Sequence, residues 1–201
     1  MLRLAFDLDG VVCDIEKAMM KVAKEKYGVN IIQNEIRTFD FCKPTGLTKE
    51  QVEDIVTICI VNYKLPKPNR GAISFLKKYY QETGKQLLFI TSRYNNKAAT
   101  DGTSNWLHWW LRPTPWECSF CNGGTKSDRL IEKEVDIFIE DRVKNAEELA
   151  DRERCVWLMD KPWNQHCRED QYIVRVYDWE EVEILWNAVK RVYRAEARGL
   201  E

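Results

Sequence analysis

The chain has 201 residues, with 31 Lys plus Arg against 32 Asp plus Glu and a formal net charge of -1. That length allows one well-buried core with a small inserted one, and it excludes two full domains. The balanced charge excludes a protein built to coat nucleic acid, so no extended nucleic-acid surface is expected and an anionic ligand must be held by a local site.

The first apolar run, LRLAF, ends at Asp7, and Asp9 and Gly10 follow at once. Two carboxylates this close, at the end of a buried strand, repel each other unless a cation sits between them. The segments IEKAMMKVAKEKYG and LTKEQVEDIVTICIVNYK read as helices, the second with Thr48 as N-cap and Gln51 three residues on. KLPKPNRG reads as a linker back to the main core. Residues 15–67 are therefore expected to be a helical insertion after the first strand, and residues 1–14 and 68–201 the core.

GAISFLKKYYQETG predicts a helix with Ile73, Leu76 and Tyr80 on one face. QLLFIT, VDIFIE and CVWLM are strand-length apolar runs ending at Thr91, near Asp141 and at Asp160; QYIVRVY and WECSF are weaker candidates. NWLHWWL sets Trp106, Trp109 and Trp110 at helical spacing, read as packing. DRVKNAEELADRE and DWEEVEILWNAVKRVYRAEA predict helices, the last with Val182, Leu185, Val189 and Val192 as its stripe. Nearly continuous apolar strands alternating with helices predict an α/β fold, a doubly wound parallel sheet.

The seven cysteines are odd in number and scattered, which points to reduced thiols and a cytoplasmic protein. Cys118-x-x-Cys121 has no second cysteine pair or suitably spaced histidines, His108 and His166 being the two in the chain, so it reads as free thiols. No run approaches the roughly 20 apolar residues of a membrane span, and no membrane partner is expected.

In open parallel sheets ligands bind beyond the carboxyl ends of the strands. That edge would gather Asp7 and Asp9, Thr91 and Ser92, Glu140 and Asp141, with Lys126 from GGTKSDRL at a helix start. Clustered carboxylates either take up protons or bind a hard cation, and Mg²⁺ suits a few carboxylates plus phosphate oxygens. A phosphate beside the metal would use the hydroxyls and the lysine. Arg93 either touches phosphate or pairs with an acidic neighbour. Asp160 and Asn164 read as braces or rim.

DLDGV after a strand, FITSR, a lysine opening a helix and IFIEDR resemble, in order, the four motifs of the haloacid dehalogenase-like hydrolases. DLDGVVCD, ITSR with TSNWL, IEDRVKNA and WLMDKPWN are similar to the 5′(3′)-deoxyribonucleotidases and their bacterial and phage relatives. The resemblance implies a Rossmann-like core with the insertion as a cap over the site. It implies Asp7 as nucleophile forming an aspartyl-phosphate and Asp9 as acid and base, its carboxyl free to carry a proton. Mg²⁺ would be bound by Asp7, the Asp9 carbonyl and Asp141, with Thr91, Ser92 and Lys126 on the phosphoryl group. Glu140 stands where the deoxyribonucleotidases usually carry an aspartate, and is read as lying behind the metal or ligating it through water. Phe39 and Phe41 are candidates to face a nucleobase. The expected substrate is a nucleoside monophosphate, with another small phosphoester, a polynucleotide end, or silent binding of a phosphorylated ligand as alternatives.

Overall fold

All the strand candidates form strands of one sheet. The computed structural model describes residues 2–32, 36–38 and 41–196. Its main sheet has six parallel strands, β1 (Leu4–Phe6), β4 (Leu87–Thr91), β5 (Trp116–Phe120), β6 (Ile137–Glu140), β7 (Cys155–Met159) and β8 (Ile173–Val176), in the order β5-β4-β1-β6-β7-β8. The period of two sorts each strand onto both faces. Leu4, Phe6, Leu87, Phe89, Ile137, Ile139, Trp157 and Met159 join one apolar cluster, while Ala5, Leu88, Ile90, Phe138, Val156 and Leu158 join the other. Helices cover both faces, which is why these strands read as unbroken apolar runs.

Between the first two strands of the core lies a second, two-stranded antiparallel ladder, β2 (Cys13–Asp14) with β3 (Lys67–Pro68). The segment read as a plain linker thus carries a strand. The ladder brackets α1 (Ile15–Tyr27), α2 (Cys42–Thr45) and α3 (Lys49–Val61). Asp14 caps α1, accepting from the Lys17 amide, and Thr48 with Gln51 forms the expected capping box on α3.

The remaining helices are α4 (Ala72–Thr83), α5 (Lys97–Leu111), α6 (Ser127–Glu132), α7 (Val143–Ala150) and α8 (Trp179–Glu196). On α4 the buried face is centred on Phe75, Leu76 and Tyr79, one step round from the Ile73–Leu76–Tyr80 face predicted from spacing. The shift follows from an aromatic cluster: Phe6 packs edge-on to Phe75 and Tyr79, and Phe75 lies 5.4 Å from the Trp179 ring. On α8 the stripe holds at Val182, but Val192 is 59% exposed because the helix runs past the sheet. Trp106 is core, donating to the Pro66 carbonyl, whereas Trp109 is half exposed beside Tyr63 and Lys64.

Candidate active site

Every strand of the main sheet points the same way, so the polar residues that end β1, β4 and β6 meet at one edge. The chain builds outward from β1 through β4 to β5, then returns to β6 on the other side of β1. The cleft therefore opens at β1, where the strand order reverses.

Asp7 leaves β1 with its amide on the Ile139 carbonyl at 2.9 Å. The next turn is tight: Val12 and Cys13 amides both donate to the Leu8 carbonyl, and Gly10 takes φ +81°. A side chain at Gly10 would overlap Asp141 Oδ2, so glycine is required for space as well as for conformation. Asn69 Nδ2 donates to the carbonyls of Gly10 and Val11 at 3.2 and 2.6 Å, and Trp179 Nε1 donates to Val11 at 3.2 Å. The loop is held from outside by groups that do no chemistry.

Lys126 is 1% exposed and spans two acids, 2.7 Å from Asp7 Oδ1 and 2.9 Å from Glu140 Oε2. Glu140 also accepts from Asn145 Nδ2 and from the amides of Asp141 and Arg142. Four donors fill a carboxylate's capacity. Burial alone would raise the pKa of Glu140; Lys126 and these donors outweigh it and hold the group below its ordinary value. Glu140 thus stands behind the site as the fixed counter-charge of Lys126.

Asp7 and Asp141 are differently placed. Burial, followed in effect by the opposing pull of Lys126 and repulsion from Glu140 and Asp9, pushes Asp7 up to about 7. Burial, Glu140 and Asp7 push Asp141 well above the ordinary carboxylate range. Oxygens of Asp7, Glu140 and Asp141 lie within 4.8 Å of one another, all buried. Asp9's carboxyl is outside that cluster.

Asp9 departs from expectation. Its carboxyl is not free: Arg93 Nε and Nη2 bind its two oxygens at 2.9 and 2.6 Å, and Arg93 Nη1 donates to Thr103 Oγ1 at 2.8 Å. Arg93 thus pairs with an acidic neighbour, the second of its two readings. Burial opposes its charge, but Asp9 more than offsets this and leaves the guanidinium above its usual range.

Thr91 is 1% exposed and Ser92 Oγ is buried with no hydrogen-bond partner among the described residues. Both lie on the cleft, as do Asp7, Asp9, Arg93 and Asp141. The cleft is about 710 Å³, and its opposite wall comes from the inserted helices: Ile15 and Met19, Phe41, and Val52, Val56 and Ile60. Phe41 is on that wall, while Phe39 lies outside the described residues.

Asn164, fully buried, donates to the carbonyls of Asp141 and Met159 and accepts from the Lys161 amide and Arg175. It braces Asp141, whereas Asp160 turns to Arg175 and Gln165. Glu16 and Asn69 carry no sequence signal for their places here, and Thr103, Asn145 and Lys161 fall inside TSNWL, IEDRVKNA and WLMDKPWN, which carry the resemblance but not these contacts. Each meets a partner brought close by the fold alone, as ordinary polar residues of turns and helix ends.

Comparison with known proteins agrees with the geometry. The family model described as 5′ nucleotidase, deoxy (Pyrimidine), cytosolic type C protein matches residues 1–192. "Putative nucleotidase BH1399" of Halalkalibacterium halodurans is 27% identical over 185 residues, 89% of each chain. Two solved structures share the fold: a hydrolase from Pseudomonas syringae (TM-score 0.59, 13% identity, 94% of this chain and 99% of that one) and a family IA HAD hydrolase from Entamoeba histolytica (0.54, 11%, 90% and 95%). The chain belongs to the 5′ nucleotidase, deoxy (pyrimidine), cytosolic type C family, phosphomonoester hydrolases built on the haloacid dehalogenase-like fold.

Proposed function

We propose that the protein is a Mg²⁺-dependent, cytoplasmic 5′-nucleotidase that hydrolyses nucleoside monophosphates, deoxyribonucleotides by preference, through an aspartyl-phosphate on Asp7. The observation that carries this is the pair Asp7 and Asp141: two buried carboxylates, both raised in pKa, beside a cleft, with the adjacent ammonium of Lys126 shared between Asp7 and Glu140.

Such a donor set fits a hard divalent cation. Asp7 and Asp141 offer carboxylate oxygens, Glu140 is saturated, and a cation between the first two relieves the repulsion that raises their pKa values. Asp7, the Asp9 carbonyl and Asp141 would hold it. When bound it neutralises phosphoryl oxygens and favours the ionised form of Asp7.

An oxygen of Asp7 attacks phosphorus, and the bond from phosphorus to the ester oxygen breaks. Asp9 gives its proton to the leaving alcohol, then takes one from the water that releases phosphate and regenerates Asp7. Arg93 holds both Asp9 oxygens, so each transfer must proceed with one of those bonds shared or broken. Thr91, Ser92 and Lys126 hold the phosphoryl group, the unpartnered Ser92 hydroxyl being a ready donor.

Residues 15–67 act as the cap over residues 1–14 and 68–201. The cap's wall sets Phe41 and its aliphatic neighbours beside Thr38, Lys49, Glu53 and Thr57, and the Phe41 ring suits the flat face of a base.

Phosphate release from a panel of deoxynucleoside, ribonucleoside and sugar monophosphates tests this. Deoxynucleoside monophosphates should turn over fastest, chelation should stop the reaction, Mg²⁺ should restore it, and Asp7→Asn should remove essentially all activity with the fold intact. Equal rates on sugar phosphates would refute the substrate; activity surviving Asp7→Asn would refute the nucleophile. Phosphate-ester binding without turnover would identify a silent relative.

A further inference from the structure

Glu16 and Lys161 form an ion pair next to the proposed cation site that the mechanism above does not use. Glu16 sits in the first turn of α1, on the inserted segment; Lys161 follows β7 in the core. Their side chains are 9% and 12% exposed, with Lys161 Nζ 3.3 Å from Glu16 Oε2 and 5.4 Å above the Trp163 ring.

Glu16's other oxygen faces the site. A methyl at Gly10 would lie 3.0 Å from Glu16 Oε1 and would overlap Asp141 Oδ2, so these two carboxylates border the same small space. Lys161 acts on both: it opposes the rise that burial imposes on Glu16, and it opposes the rise that burial, Glu140 and Asp7 impose on Asp141. One ammonium therefore acts on two neighbouring buried acids and is in contact with Glu16.

Lys161 cannot retreat. Its amide donates to Asn164 Oδ1 at 3.1 Å, and Asn164 Nδ2 donates to the Asp141 carbonyl at 3.0 Å, so its backbone is tied to Asp141 itself. The side chain alone can move, and Asp141 is the second buried acid that its charge acts on. An ammonium on Asp141 would stand where a cation belongs.

We propose that Glu16 is a positioning residue for the cation site: it holds the Lys161 ammonium off Asp141 and so keeps the Asp7 and Asp141 oxygens open to a divalent cation. This rests on the cation reading given above. Outer residues that orient the groups around a metal commonly change its affinity by about 10- to 100-fold, which sets the size of effect to look for.

The test is Mg²⁺ binding by titration calorimetry on the full chain, with thermal unfolding of each metal-free variant alongside. Wild type must bind Mg²⁺; if it does not, the cation reading itself fails. Given binding, Glu16→Gln, which keeps the shape and removes the charge, should weaken it about tenfold or more. Lys161→Met should tighten it several-fold, because Glu16 then adds uncompensated negative charge. The double variant should return to within about threefold of wild type. A packing role alone predicts the opposite for the double variant, which would then bind as weakly as Glu16→Gln or more so. That result, or a Glu16→Gln affinity equal to wild type, overturns the proposal; should Glu16→Gln fail to fold, an unchanged affinity in Lys161→Met overturns it.

Discussion

Lys126 has no solvent to fall back on. Its ammonium joins Asp7 to Glu140 and lies 5.3 Å from the centre of the Phe138 ring. Replacing it with methionine keeps the volume and strands two buried carboxylates, a change that costs about 3–5 kcal/mol when one partner of a buried pair is lost. Urea denaturation of metal-free Lys126→Met above pH 7 should show a loss of that order, and Mg²⁺ should recover part of it. At this scale the sequence locates the residues gathered at the sheet edge because they end apolar strands: Asp7, Thr91, Glu140 and Asp141 sit where the run LRLAF, QLLFIT or VDIFIE stops. Their partners are another matter. Arg93 meets Asp9 across 84 residues, and Lys161 meets Glu16 across 145. No local pattern records which of several nearby acids an arginine will choose; only the closed fold does.

At the scale of elements, α5 and α3 meet backbone to backbone. A side chain at Gly102 would overlap the Ile60 carbonyl oxygen and come within 3.0 Å of its carbon, so the two backbones touch there. The next residue on α5 is Thr103, which holds Arg93 and through it Asp9. Gly102→Ala must push α3 away, at the roughly 1–3 kcal/mol typical of overpacking. Thr48→Ala, which removes the capping box at the other end of α3, should cost about 1 kcal/mol with no change in the α3–α5 approach. Denaturation measures both, and activity separates them: the glycine change should also lower turnover, the cap change should not. The capping box is readable because Thr48 and Gln51 are three residues apart and their bonds are local. Gly102 in NKAATDGTSNW gives no sign of its contact, because the helix it touches belongs to the insertion. The same reason explains α4: spacing locates a helix well, but the neighbouring Phe6 and Trp179 rings decide which of two adjacent faces is buried.

For the whole molecule, the site ties stability to pH and, on the proposed reading, to metal as well. Asp7 and Asp141 hold protons more tightly folded than unfolded. The native state therefore binds more protons than the unfolded chain above the ordinary carboxylate range. Stability must fall as pH rises from there through about 7, the folded value for Asp7, and the raised Asp141 adds to the fall. A cation bound to the ionised pair reverses that preference. Melting temperature measured from pH 4.5 to 8 should decline in chelator and decline less, or rise, in excess Mg²⁺; parallel curves would mean that the two carboxylates are not its ligands.

Asn69 follows directly on β3, the strand by which the chain returns from the insertion, and it grips the carbonyls of Gly10 and Val11. Entry at β2 and exit at β3 are thus stitched to each other and to the loop that follows Asp7 within a few residues. The arrangement works like a socket: on the proposed reading, a different insertion that kept Glu16 and the close approach of α3 to Gly102 would inherit the same phosphate chemistry and bring its own leaving-group preference.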